Sequence, residues 1–288
     1  MAVTEAGYRR SVIVGLLLSA SFVSLLNQTL LVVAIPRIME QFGILPNQGQ
    51  WVTTAFLLTN GIMIPVTAFL IEKFGNRSLL IFALSVFCGG TLLGAVAPNF
   101  PVLLLARITQ AMAAGILMPL MQTVTLTLFP PEKRGAAMGM NGLVIGFAPA
   151  IGPTLGGWLL SHGSWRLLFY TVFPIALIVL VAAIALMKDV TERKPRTVDP
   201  LGIVLSTFGW GGLLYGFSMA GSAGWGDTGV LCALAIGAVC LTVFIRRQLA
   251  KDTPMLNFRV FRYPVFTLST VLAVFMFAVL IGTETLLP

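Results

Sequence analysis

"GLVIGFAPAIGPTLGGWLL", residues 142–160, runs for 19 residues without one charge and carries glycine pairs at four-residue spacing, Gly142/Gly146 and Gly152/Gly156. As an α-helix it covers about 28 Å, close to the roughly 30 Å hydrocarbon thickness of a bilayer. Small residues at this spacing let two helix backbones approach closely, and Pro149 and Pro153 free carbonyls that bend the helix. The residues alone fit two readings equally: plain tight packing, or a smooth bent face against which a neighbouring part of the protein rocks.

The rest of the chain resembles this stretch. Of 288 residues 57% are hydrophobic and 10% charged, against about 25% charged in a soluble domain. So few charges cannot cover a soluble surface of this size, so lipid is the expected solvent and partner. Runs of about 20 apolar residues predict nine spans, at 12–35, 50–71, 78–97, 101–128, 135–160, 166–187, 200–220, 228–247 and 265–287. The runs lack the two-residue alternation of barrel strands, so the expected class is all-α, a polytopic helical membrane protein.

The net charge of +8 does not point to nucleic acid, because the basic residues sit in short separate loops. With the N-terminus inside, fifteen of eighteen Lys and Arg fall on the cytoplasmic side and only Arg37 and Arg166 outside. That bias predicts a multi-pass protein of the plasma (inner) membrane with a cytoplasmic N-terminus. The expected layout is a six-span half at 1–187, linkers and two extra spans at 188–264, and the first span of an incomplete second half at 265–288. The abrupt apolar end "LIGTETLLP" is what the front part of a longer polypeptide would show, its partner being the missing C-terminal half.

The eighteenth base, Arg107, falls inside the fourth span, where burial costs roughly 2.5–3.5 kcal/mol or more. Helical spacing aligns it with Gln110, Gln122 and Thr125, and the expected setting is a partly hydrated central cavity rather than snorkelling to the head groups. Asn27 lies at a similar depth in the first span and cannot titrate. An interhelical amide bond and a contact with cargo are open to it equally. Of ten acids only Glu284 falls well inside a span, though a place at the outer interface would also account for it. His162 is the one histidine, and Cys88, Cys232 and Cys240 show no ligand spacing, so no metal site and no enzyme are expected. "GWGDTG", 224–229, fits a phosphate-loop pattern but sits between two spans with no strand before it.

Several segments together resemble the major facilitator superfamily. "AFLIEKFGNRSLL", 68–80, is similar to its signature loop, with Glu72, Lys73, Gly75 and Arg77 in register and Ala68 replacing a glycine. Arg107 and Gln110 match the R-x-x-Q-G pattern of the fourth span, with Ala111 in place of glycine. Gly152, Pro153, Gly156 and Gly157 match the antiporter motif G-P-x-x-G-G, and Trp165, Arg166, Phe169 and Pro174 match the start of the sixth span. In the first span Asn27 stands where relatives carry aspartate, with Thr29, Ala34 and Pro36 keeping register.

The extra pair of spans is similar to the fourteen-span drug/proton antiporter branch that includes lincomycin-resistance-type exporters. The resemblance implies secondary active export of a small hydrophobic or cationic substrate by alternating access, driven by an ion gradient, that of protons in that branch, with no bound cofactor. Asn27, Arg107, Gln110, Gln122 and Glu284 would serve the substrate and proton pathway. Glu72, Lys73, Gly75 and Arg77 would latch the cytoplasmic side, and the stretch from Gly142 and Gly146 through Pro149 to Gly157 would form the packing hinge. A same-fold carrier of another metabolite or lipid, or a fragment that does not transport, are the alternatives.

Overall fold

A computed structural model describes residues 10–190, 199–252 and 254–286. Among the described residues there are ten α-helices and one 3₁₀ turn. They are α1 (Arg10–Phe42), α2 (Pro46–Gly49), α3 (Trp51–Phe74), α4 (Asn76–Ala95), α5 (Phe100–Leu128), α6 (Pro131–His162), α7 (Arg166–Leu186), α8 (Pro200–Ala223), α9 (Thr228–Ala250) and α10 (Pro264–Leu286), with the 3₁₀ turn Phe258–Arg262 before α10. Eight spans in the described residues are long and apolar enough to cross a membrane, α2 and α3 counting as one. The chain is all-helical, as its apolar runs require.

Helix starts follow local chemistry. Asn99, Asp199 and Asp227 each accept the backbone N–H three residues on, from Val102, Gly202 and Val230, so each satisfies an otherwise orphaned donor. Proline at the first or second position of α5, α6 and α8 loses no hydrogen bond there. The turn from α3 to α4 is a single residue, Gly75, at φ 78° and ψ 161°. A side chain at this φ is strained, which explains the glycine of the signature loop.

The main core joins α1, α4, α5 and α7 through residues such as Leu17, Leu30, Phe87, Leu117 and Phe169. Glycines bring helices together where polar groups must meet. A Cβ at Gly90 would stand 3.0 Å from Gln110 Cγ, and one at Gly115 would stand 2.5 Å from Met63 Cβ. The two extra helices α8 and α9 pack backbone to backbone, a Cβ on Gly237 falling 2.6 Å from the Leu213 nitrogen. That hairpin rests on α3, where Leu214 Cδ1 would be 2.7 Å from a Cβ on Gly61.

Asp199 closes the hairpin at its linker end. Its carboxylate accepts from Arg247 at 3.1 Å, from Lys251 and from Gln248 at 3.4 Å. Burial opposes its charge, but the bonds from Lys251, Arg247 and the Gly202 N–H outweigh it and hold the carboxyl down to about 2. A depressed carboxylate stabilises the fold above its ordinary range and loses that contribution as pH falls through its folded value. The melting temperature of Asp199→Asn is therefore expected below that of the wild type at neutral pH, with the gap closing between about pH 4 and pH 2. No gap at neutral pH would show that the clasp adds nothing, and a gap constant down to about pH 2 would show that its contribution is not the carboxylate's charge.

Candidate functional site

Arg107 is the largest polar side chain in the interior and is 1% exposed. Its Nε donates to the Val52 carbonyl at 3.3 Å, and its Nη1 donates to Gln110 Oε1 at 2.9 Å. Gln110 Nε2 donates to Thr91 Oγ1 at 2.9 Å, and the Thr91 hydroxyl donates to the Phe87 carbonyl at 2.7 Å. The guanidinium carbon lies 4.3 Å from the centre of the Phe56 ring. This polar chain therefore ties α3, α4 and α5 together, and each named donor in it has an acceptor. The placement differs from the expected hydrated cavity. The reason is that Ala106, Ala111 and Ala114, with Gly90 opposite, let α3 and α4 close over the stripe.

Asn27 is placed differently. It is 0% exposed, and neither its Oδ1 nor its Nδ2 has a hydrogen-bond partner among the described residues. A buried amide in that state costs about 1–3 kcal/mol per group. As first and fourth spans α1 and α5 run in opposite directions, and the Ser21 hydroxyl donates to the Leu117 carbonyl at 3.4 Å. That register sets Asn27 level with Ala111, about one helical turn from Arg107. The hydrogen bonds of Arg107 go to α3 and to its own helix, and Asn27 is not among their partners. Gln122 is half-buried and lies roughly 22 Å along α5 from Arg107, too far to share its network. Glu284 falls in the last turns of α10, where side chains lie outside the described residues.

The glycines of α6 divide into two faces. Gly152 and Gly156 meet α1: a Cβ on Gly152 would fall 2.6 Å from Thr29 Cβ, and one on Gly156 3.3 Å from the Leu30 carbonyl. Gly142, Gly146 and Gly157 have nothing within 4 Å of that position. With exposed Ala150, Pro153 and Ser161 they form one stripe of small residues turned away from the six-helix core. Pro149, on the flank, is half-buried. Apolar Leu143, Phe147 and Trp158 run beside the stripe, also exposed.

The signature loop is tied to the end of α7. The Arg77 backbone N–H donates to Asp189 Oδ1 at 2.9 Å, and its Nη2 donates to the Ile184 carbonyl at 3.0 Å. Asn76 donates to the Lys188 carbonyl at 2.9 Å and accepts from the Val190 N–H at 2.8 Å. Lys73 reaches over the rings of Phe69 and Phe74, at 5.7 and 5.2 Å, and Glu72 sits half-buried on the last turn of α3. Sequence reasoning missed Asn76. A small amide following a positive-φ glycine was the available signal, and such residues often bond a neighbouring backbone.

It also missed the opposite end. Arg166 Nη1 donates to Gln41 Oε1 at 3.1 Å and its Nη2 donates to the Ala97 carbonyl at 2.7 Å, while the Trp165 indole N–H donates to Gln41 too. The sequence marks Arg166 as an outer-loop base and as part of the motif opening the sixth span; in the structure it also staples α1, α7 and the turn after α4.

The Major Facilitator Superfamily profile matches residues 17–288. The Bacillus subtilis protein named "Uncharacterized MFS-type transporter YcnB" is 59% identical over 287 residues, covering 100% of this chain and 61% of that protein. The "Lincomycin resistance protein LmrB" of Bacillus subtilis is 42% identical over 274 residues, covering 94% of this chain and 57% of that protein. This chain thus spans roughly three-fifths of these curated relatives. Among solved structures, a peptide transporter POT superposes at a TM-score of 0.62 with 13% identity, over 83% of this chain and 52% of that one. That likeness concerns the fold alone.

Proposed function

The chain belongs to the Major Facilitator Superfamily, and from that footing we propose that it forms the N-terminal part of a secondary active transporter. It would export hydrophobic or cationic compounds across the plasma membrane in exchange for protons, with its N-terminus in the cytoplasm. A protein similar over 94% of this chain is named for lincomycin resistance, and this supports export of a small drug-like cargo.

The two-faced α6 carries the reading. Alternating access needs each half to move as a rigid body while the seam between the halves slides. Gly152 and Gly156 lock α6 onto α1, whereas Gly142, Gly146 and Gly157 leave a smooth uncovered stripe for a second half. Asn27, enclosed and without a hydrogen-bond partner among the described residues, supplies an amide that can orient a cargo's polar atom or a water. It cannot carry the proton. Among the acids of this chain that role falls to Glu284, by its place inside a span.

The test is efflux of preloaded dye from right-side-out vesicles holding the complete polypeptide. Efflux is expected to collapse with a protonophore, and Gly146→Leu is expected to abolish it while leaving the melting temperature of the protein unchanged. Efflux indifferent to the protonophore would sink the proton-coupled reading. Unchanged pH dependence in Glu284→Gln would remove Glu284 from coupling.

A further inference from the structure

The segment joining α9 to α10 is built across the helix ends rather than looped away from them. Gln248 Oε1 accepts the Met255 N–H at 2.6 Å, and Arg259 Nη2 donates to the carbonyls of Leu249 at 3.1 Å and Lys251 at 3.5 Å, at and just past the end of α9. Phe258 meets Phe244 edge-on at 6.0 Å, and Met255 is buried with Phe69 of α3. This inner face fixes the 3₁₀ turn at the level where the helices α9 and α10 end and begin. In a membrane-spanning bundle that level is where hydrocarbon gives way to head groups.

The outer face has the opposite chemistry. Arg259 and Arg262 of the turn are exposed, as is Arg246 near the end of α9, together with Phe261 at 47% and Tyr263 at 70%. Tyr263 directly precedes Pro264, the first residue of α10. Asp199 engages Arg247 and Lys251, so those two bases are already matched. Asp252 is the one acid between residues 246 and 264. Two arginines on a short pinned turn and a third near the end of the helix it is pinned to, with an exposed phenylalanine and tyrosine, match a surface of phosphate esters over acyl chains. The guanidinium fork pairs with phosphate oxygens, and aromatic rings settle at the head-group level.

We propose that this element is a binding site for anionic phospholipid, with Arg246, Arg259 and Arg262 holding the head-group phosphate and Phe261 and Tyr263 seated in the interface. Arg246 and Arg262 carry the preference for anionic over zwitterionic lipid, since Arg259 also caps α9. The proposal rests on the chain spanning a membrane and not on any cargo, so transport can fail while this site stands.

The test is native mass spectrometry of the purified chain equilibrated with equal amounts of phosphatidylglycerol and phosphatidylcholine bearing the same acyl chains. Retained lipid is expected to be enriched in phosphatidylglycerol, and each removed arginine in Arg246→Gln/Arg262→Gln is expected to lower the enrichment roughly fivefold. Arg246→Lys/Arg262→Lys should keep most of it, since the charge near the surface persists. Equal retention of the two lipids, or an enrichment untouched in the glutamine variant at unchanged helicity, would overturn the assignment. Glycerol phosphate that displaces the lipid at equal concentration would show a free-phosphate site instead.

Discussion

Gly152→Val is expected to destabilise the helical half by about 3 kcal/mol, at the upper end of overpacking costs, and to abolish transport by the complete polypeptide. A Cβ at this position falls 2.6 Å from Thr29 Cβ, below any separation real carbon atoms adopt. Thr29 cannot swing away cheaply. Its hydroxyl donates to the Leu26 carbonyl at 3.1 Å within its own helix and lies 3.5 Å from the Ala148 carbonyl of α6, and its Cβ moves only with the backbone of α1. The helices α1 and α6 must therefore separate, and the packing at Gly156 against Leu30 opens with them. A pair of variants isolates the contact. Gly152→Ala should lower the melting temperature on its own, and Thr29→Gly should restore much of the loss, because it removes the carbon that the new methyl meets. Gly142→Ala has nothing within 4 Å and should be neutral or stabilising by up to about 1 kcal/mol, the usual gain in a helix interior. Equal destabilisation by Gly152→Ala and Gly142→Ala would mean that glycine acts here through backbone freedom and not through the α1 contact.

That contrast marks how far the sequence could be read. Lipid is a uniform solvent, so apolar runs and the side on which Lys and Arg fall were enough to give the helices, and the motif in α6 gave a close helix contact. What remained hidden was which face of each helix turns inward. On α5 both faces are apolar over most of the length, so spacing put Arg107, Gln110 and Thr125 on one stripe without saying whether a cavity or a neighbouring helix covers it. The answer depends on Gly90 and Gly115, whose lack of side chains admits α4 and α3 and leaves no periodic trace. In α6 the same glycine spacing serves two different faces, and only the packing separates Gly152 from Gly142. Long-range bonds were equally silent: Asn76 meets Lys188 at a separation of 112 residues, and Arg166 meets Gln41 at 125. The clasp at Asp199 and the pinned segment before α10 lie in stretches whose charge pattern reads as ordinary loop.

Arg107→Met is expected to abolish transport by the complete polypeptide while shifting stability little, and Arg107→Lys is expected to be inactive as well and less stable than the methionine variant. Two opposing terms nearly cancel in the first case. Removing the guanidinium leaves Gln110 Oε1 without its donor, at about 1–3 kcal/mol, and forfeits the contact with Phe56, about 2 kcal/mol when desolvated. It also returns the roughly 2.5–3.5 kcal/mol that a buried arginine costs in a span. Lysine gives up the fork without removing the charge. One ammonium cannot reproduce two bonds aimed at Val52 and Gln110 in a plane, and it is more strongly hydrated than a guanidinium. The comparison separates two roles for the residue. If Arg107 served as a positive charge facing a cargo, lysine would keep a measurable share of activity. If it serves by joining α3, α4 and α5 into one unit, through its bonds to Val52 and Gln110 and the bond of Gln110 to Thr91, lysine fails with the rest. A double-mutant cycle with Gln110→Leu adds a readout that transport does not touch, with an expected coupling of about 0.5–3 kcal/mol for groups sharing a network. Dye efflux from Arg107→Lys near the wild-type rate, or additive stability losses for Arg107→Met and Gln110→Leu, would count against the joined-helix role.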